Sequence, residues 1–286
     1  MKKLSKDQET LAESFRSYLR KKNMSENTEN AYGRAIRQFF SIESYISEDQ
    51  LRKYRSFLIS NYSPATINQR IFAINQFLLF LEKECPALDP ALAGFRLHSV
   101  KAPRDTFQDS IITNEDCETL QRNLKAEHHD FWYFIVRFLV TTGARVSELV
   151  QIKAEHLACG YLDLYSKGGK IRRIYIPDSL CQEAKAWCDR RGITSGFLFV
   201  GKNGRPVTTR GIHSQLKHYA IRYGIDPTTI YPHSFRHRFA KNFLSRSDDI
   251  SLLADLLGHE SIETTRIYLT RSSKEQKLLL DEMVTW

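Results

Sequence analysis

What this sequence lacks narrows the field first. Five cysteines (Cys85, Cys117, Cys159, Cys181 and Cys188) are odd in number and form no C-x-x-C pair. That argues against a disulfide framework or a cysteine metal site and for plain buried thiols in a reduced, cytosolic compartment. Long apolar runs are missing too: the oiliest stretch, Phe131 to Val140, is broken by Arg137 and stays under the roughly 20 apolar residues a bilayer span needs. No membrane association is expected. Met1-Lys2-Lys3 leads straight into polar residues, so no secretory leader is expected either. Internal repeats and low-complexity tracts are not found. With 42% hydrophobic and 26% charged residues the chain reads as folded rather than disordered. At roughly 150 residues per domain, 286 residues make two domains.

Acidic residues are scarce in one region. Residues 165 to 246 hold 16 Lys and Arg against four acids (Asp178, Glu183, Asp189 and Asp226), a net of +12, while the whole chain carries +9 and the remainder therefore −3. A solvated surface scatters positive charge; a groove for a polyanion concentrates it. His213, His218, Tyr219, Tyr223, His233 and His237 are interleaved with this charge, and the combination points to nucleic acid.

The first 84 residues read as four helices. Ser25 is an N-cap candidate before Tyr32, Ile36, Phe39 and Phe40 at helical spacing, and Ser63-Pro64 opens a helix whose stripe runs Ile67, Ile71, Ile74, Phe77, Leu78 and Leu81. Pro86, Pro90, Gly94 and Pro103 then punctuate a polar stretch. The expected organisation is a domain over 1–95, a linker over 96–110, a second domain over 111–270 and a tail over 271–286. Within the second domain Thr113 caps a helix, a helix over 131–141 stops at Gly143, and another starts at Val146. Tyr161 to Tyr165 and Ile171 to Ile176 alternate around a glycine-containing turn and read as a hairpin. A short strand is expected over 196–200, and helices over 209–223, 233–246, 250–257 (ending at Gly258) and 262–269.

Four local patterns carry chemistry: Thr142-Gly143-Ala144-Arg145-Val146-Ser147-Glu148, the turn at Lys167, His233-Ser234-Phe235-Arg236-His237, and Leu257-Gly258-His259 followed by Tyr268. Together they make a phosphate site. Two guanidinium groups, Arg145 and Arg236, suit bidentate contact with phosphate oxygens, and His233 and His259 supply further donors to charge growing in a pentacoordinate transition state. Lys167 at a hairpin tip suits a general acid for an alkoxide leaving group. Tyr268 suits a nucleophile, provided that cations stabilise its phenolate or a base takes its proton. Bland alternatives stand beside each: Arg145 and Glu148 as an i, i+3 helix ion pair, Lys167 and Lys170 on a solvated turn, His233 and His237 as zinc ligands, Tyr268 as core packing.

The joint register resembles the tyrosine recombinase (phage integrase) family, closest to its short Xer-like members. The order Arg, Lys, His-x-x-Arg, His, Tyr is met at Arg145, Lys167, His233, Arg236, His259 and Tyr268, with the context Leu257 to Leu269 reading LGHESIETTRIYL. Ser25 to Tyr32 (SENTENAY) is similar to the family's amino-terminal SAM-like core-DNA-binding domain, so the resemblance spans nearly the whole chain. It implies a mainly α fold: an N-terminal four-helix SAM-like domain and a C-terminal mixed α/β catalytic domain of helices with a small β-hairpin sheet. It assigns Tyr268 as nucleophile, Arg145 and Arg236 as phosphate clamps, Lys167 as general acid with Lys170 three residues on as its rival, and Glu148 as support for Arg145. The expected DNA contacts are Lys170, Arg172, Arg173, Arg210, Lys217 and Arg238. No cofactor and no metal are expected. The partners implied are duplex DNA with paired inverted-repeat sites, a homotetramer in the synapse, accessory DNA-bending or directionality proteins, and a place on the nucleoid. The tail is expected to dock on a neighbouring subunit. Rival readings are a type IB topoisomerase-like swivelase and a silent DNA-binding regulator.

Overall fold

A computed structural model describes residues 4–85, 89–101, 111–165, 171–201, 203–259, 261–269, 277 and 280–284. The chain is mainly helical, with one two-stranded antiparallel sheet, and it divides into two compact units, Met1–Arg104 and Asp105–Trp286.

The first unit is built on α1 (Lys6–Lys21), α2 (Glu26–Ile42), α3 (Glu48–Asn61) and α4 (Pro64–Glu84). Serines start three of them: the hydroxyls of Ser5, Ser25 and Ser47 accept from the backbone N–H groups of Gln8, Thr28 and Gln50, each satisfying a donor the helix leaves free. Ser63 precedes α4 without a side-chain cap bond, and Pro64 stands where its missing N–H costs nothing. The apolar stripes close on Phe15, Ile36, Phe39, Tyr54, Ile74 and Phe77. Residues 97 to 100, placed in the linker from sequence, are tied down here. The Asn75 amide exchanges bonds of 2.9 Å with both backbone groups of Leu97, and the Asn68 amide does the same with Val100 at 2.8 and 2.9 Å. A side-chain amide carries donor and acceptor together and so substitutes for a strand partner.

The second unit contains α5 (Asn114–Ala126), α6 (Asp130–Thr142), α7 (Val146–Leu149), α8 (Ala154–Cys159), β1 (Tyr161–Tyr165), β2 (Ile171–Tyr175), α9 (Asp178–Arg191), α10 (Thr209–Arg222), α11 (Pro232–Leu244), α12 (Ile250–Leu257) and α13 (Ile262–Arg266), the last continued by a 3-10 turn over Ile267–Leu269. Helix α6 is apolar almost all round because it is the central element, packed by α5, α9 and α11. Phe134 stacks on Trp187 with centroids 4.7 Å apart, and Phe138 meets Phe199 edge-on. Strands β1 and β2 form the expected hairpin, pairing from Tyr161 opposite Tyr175 to Tyr165 opposite Ile171. Its turn, with Lys167 and Lys170, lies outside the described residues. The strand expected over 196–200 does not form. Only isolated bridges, Lys153 to Phe197 and Val200 to Pro206, occur there, since Gly196 at φ 81° sets off an irregular loop.

Candidate active site on the carboxy-terminal unit

Two helix ends and one helix face build the site. Helix α6 stops because Gly143 takes φ 61°, and α12 stops because Gly258 takes φ 62°; these left-handed caps turn the chain so that Arg145 and His259 follow two residues and one residue later. Arg145 is the N-cap of α7. The buried carboxylate of Glu148 accepts from the Arg145 backbone N–H at 2.6 Å and from Arg145 Nη1 at 2.8 Å. Arg145 Nη2 lies 3.5 Å from the Gly258 carbonyl, so the first cation already meets the second helix end.

Arg236, on the inner face of α11, is 1% exposed. Its Nη1 donates to the Gly143 carbonyl at 2.8 Å and its Nη2 to the Leu257 carbonyl at 2.5 Å, satisfying both helix ends with one side chain. Nη2 also meets His259 Nε2 at 3.0 Å. A guanidinium only donates, so Nε2 accepts and His259 carries its proton on Nδ1, 2.7 Å from Thr265 Oγ1; this tautomer is assigned from the network. Tyr268 is buried in a small cluster with Ala240, Leu253 and Leu257. Its ring lies parallel to His259 at 6.0 Å and edge-on to His237 at 5.0 Å, and His237 in turn meets His233 edge-on at 4.6 Å.

The electrostatics are those of crowded cations. His259 is pushed down to about 4 by burial and then by Arg236, Arg145 and Arg172. His237 is likewise pushed to about 4, by burial and then by His233 and Arg236. His233 is lowered by desolvation, then by Arg236 and Arg145. Burial is also the first cause that lowers Arg236, followed by the neighbouring Arg145.

Of the residues singled out from sequence, Arg145, Glu148, Arg236, His259 and Tyr268 come together directly, and His233 joins through His237. Two of the arginines expected to contact DNA make bonds inside the protein. Arg172 turns inward, its side chain 11% exposed, to bond the Glu148 carboxylate through Nη1 and the Leu256 carbonyl through Nη2 at 3.3 Å. Arg238 donates from Nε to the Ile112 carbonyl at 2.6 Å. Arg173 bonds Asp163 with two contacts of 2.7 Å and lies over the Tyr161 ring. Arg210 and Lys217 stand exposed on α10. Sequence reading placed Arg172 among the DNA contacts and missed its bond to Glu148, and it missed Thr265 altogether. A signal existed for Arg172, since it stands two residues before buried Ile174 and successive strand residues alternate faces. Thr265, fully buried, had none beyond a helical position six residues after His259.

An open groove of about 1280 Å³ runs between the hairpin and α12, with Arg145, Glu148, Arg172 and His259 on its walls. Tyr268 is not part of that lining. Among the described residues no group of three or more His, Cys, Asp or Glu is placed to hold a metal ion, and no helix is long and apolar enough to cross a membrane.

Residues 110–275 match the phage integrase family. The tyrosine recombinase XerA of Pyrococcus furiosus is 33% identical over 275 residues, covering 93% of this chain and 91% of that protein. Among solved structures, XerH site-specific recombinase bound to palindromic difH substrate in a post-cleavage complex superposes with a TM-score of 0.68 at 20% identity, over 95% of this chain and 84% of that one. A lambda integrase tetramer bound to a Holliday junction gives 0.71 at 15% identity, over 91% and 76%.

Proposed function

The chain belongs to the phage integrase family and is an Xer-like tyrosine recombinase acting in site-specific DNA recombination, and on that premise we propose that Tyr268 is its nucleophile, within a site that needs no metal. The phenol oxygen forms a bond to a DNA phosphorus while the bond from that phosphorus to the 5′ oxygen breaks. The products are a 3′-phosphotyrosine ester and a 5′-hydroxyl. The phenol proton leaves to a base, and the departing oxygen gains one from the hairpin lysine, Lys167. Attack by a 5′-hydroxyl from the partner strand reverses the step and returns the tyrosine, so the ester conserves the bond energy and no nucleotide triphosphate is consumed.

The observation that carries this reading is Arg236. A guanidinium buried at 1% exposure, anchored on two helix ends and in hydrogen-bond contact with His259, is a preorganised cation of the kind that stabilises developing phosphoryl charge. Arg145, held by Glu148, adds a second from the exposed side. These cations take the electrostatic role that metal ions play elsewhere. Duplex DNA with inverted half-sites is the partner that the +12 segment and the DNA-bound structural neighbours support. A four-subunit synapse is supported by the tetrameric neighbour. Tail docking on the next subunit and accessory proteins are parts of the same reading.

The test is a nicked suicide duplex in excess chelator, read on a denaturing gel. Wild-type protein forms a covalent adduct; Tyr268→Phe binds the duplex and forms none. An adduct that persists in Tyr268→Phe, or one that chelator abolishes in wild type, overturns the assignment.

A further inference from the structure

Glu148 is buried, yet two arginines of different kinds use the same oxygen. Arg145 Nη1 reaches Oε1 from the exposed side, where its side chain is 42% accessible, and Arg172 Nη1 reaches Oε1 from inside. An accessible guanidinium on a four-residue helix has many rotamers open to it, so the carboxylate it leans on must itself be fixed. The Arg145 backbone N–H holds Oε2 at 2.6 Å, which leaves Oε1, the oxygen that the Arg145 guanidinium uses, to be held from elsewhere. The independent anchor is Arg172, which rises from β2, crosses to α7 through Glu148, and ends on the Leu256 carbonyl at the end of α12. Its path runs over Gly258, where a Cβ would stand 2.2 Å from Arg172 Cδ and 2.5 Å from Nε. The residue before His259 thus lacks a side chain where Arg172 passes. One side chain therefore ties three chain segments, the strand that leads from the hairpin turn, the helix that starts at Arg145, and the helix end that presents His259.

We propose that Arg172 is a positioning residue for the recombination reaction, acting through Glu148 to aim Arg145 and through the α12 end to hold His259, without touching DNA. This rests on the reading of Arg145 as a phosphate clamp. It goes beyond that reading by moving Arg172 from the DNA-contacting surface into the support of the site. Arginine is needed here because its planar fork serves the carboxylate and the carbonyl at once, and a lysine has one nitrogen for both.

The experiment compares wild type, Arg172→Met, Arg172→Lys and Arg145→Ala on two nicked duplexes, one with the natural scissile phosphate and one with a methylphosphonate there. The methyl group removes the charge that an aligned Arg145 neutralises, so cleavage of that substrate stops depending on alignment. Misplacement on the scale of an ångström costs about 10² in rate, and that is the loss expected for Arg172→Met on the phosphate, with less than about threefold on the methylphosphonate. Arg145→Ala shows the same substrate-selective pattern, and Arg172→Lys recovers only part of the rate. Single-site affinity and its salt slope stay at wild-type values, whereas a lost phosphate contact lowers that slope by about one. Equal slowing of both substrates, a reduced salt slope, or unchanged phosphate cleavage each overturns the proposal. If Arg172→Met folds poorly, Arg172→Met with Glu148→Gln removes the orphaned buried charge. The proposal then requires this double variant to melt near wild type and still discriminate between the substrates. No adduct from wild type on the natural phosphate defeats the functional reading itself and is recognised separately.

Discussion

Substituting Gly143 with alanine tests the helix end next to which Arg145 stands and to which Arg236 is bonded. The residue has φ 61°, and a Cβ there would lie 2.5 Å from Phe239 Cδ1 and 2.9 Å from Cγ. Two costs add. The left-handed backbone costs an L-residue roughly 1 to 2 kcal/mol, and pressing a methyl group into a packed aromatic ring costs about 1 to 3 kcal/mol more. Gly192, which caps α9 at φ 66° and has open space within 4 Å of where a methyl group would stand, provides the control for the first cost alone. At about 2 to 4 °C per kcal/mol for a unit of this size, Gly143→Ala should melt roughly 2 to 12 °C below Gly192→Ala. Phe239 packs against the cluster that contains Tyr268, and the Gly143 carbonyl accepts from Arg236, so adduct formation should also fall at temperatures where the variant is fully folded. Phe239→Leu in the same chain should recover part of the melting loss by making room. Differential scanning calorimetry and the suicide-duplex assay read both effects. Equal melting of the Gly143 and Gly192 variants would refute the packing argument, and full activity in Gly143→Ala would refute the link to Arg236.

Three further outcomes are expected. His237 and His259 are held at about 4, so between their ordinary pKa and that value the unfolded chain binds more protons than the folded one, and stability falls with acidification by up to about 1.4 kcal/mol per pH unit for each ring. Melting midpoints measured from pH 7 to 4.5 should drop, and His237→Gln should flatten the decline; a midpoint that rises on acidification contradicts the burial of these rings. Affinity for a single duplex site should fall about 10³- to 10⁵-fold between about 50 and 200 mM salt, the range for six to ten neutralised phosphates, and salt-indifferent binding would mean that the basic segment faces away from DNA. Deleting residues 274 to 286 should leave single-site gel shifts intact while removing the two-site complex, and a truncated protein that still assembles it sinks docking of the tail on a neighbour.

Much of the fold could be read from local chemistry because the decisive residues act on their own neighbours. Thr113, Ser261, Gly143 and Gly258 stand at helix ends in the structure as their cap chemistry requires, and the alternation in Tyr161 to Tyr165 and Ile171 to Tyr175 fixes the hairpin register. Helix α9 was not read because its buried stripe, Leu180, Cys181, Ala184, Trp187 and Cys188, is made largely of small residues with weak hydrophobic contrast. At the site, the order and intervals of Arg145, His233, Arg236, His259 and Tyr268 were visible, and strand alternation placed Arg172 on the face of Ile174, but its buried partner was not visible. Arginine in a basic stretch carries the same letter whether it meets solvent or a buried carboxylate, and only the position of Glu148 across the fold separates the two.

The depressed pKa values at the site form one pattern with a single physical origin. Arg172, Arg236, His233, His237 and His259 are all lowered, burial first in every case, and every one of them also feels a neighbouring cation. Among the described residues Glu148 is the one carboxylate bonded to Arg145 and Arg172, and it serves both. The free chain therefore keeps a positive potential that lowers its own stability. In the proposed reaction an anion entering beside Arg145 would relieve that repulsion, and a pentacoordinate phosphorane, carrying more charge than the ground state, would relieve it further, which is the differential binding that accelerates a reaction. The same potential accounts for the choice of cation. Burial and its neighbours push Arg172 down to about 10, where it stays charged at neutral pH. A lysine starts from a lower value, about 10.4, so the same surroundings leave it less margin, and it has one nitrogen where Arg172 uses two.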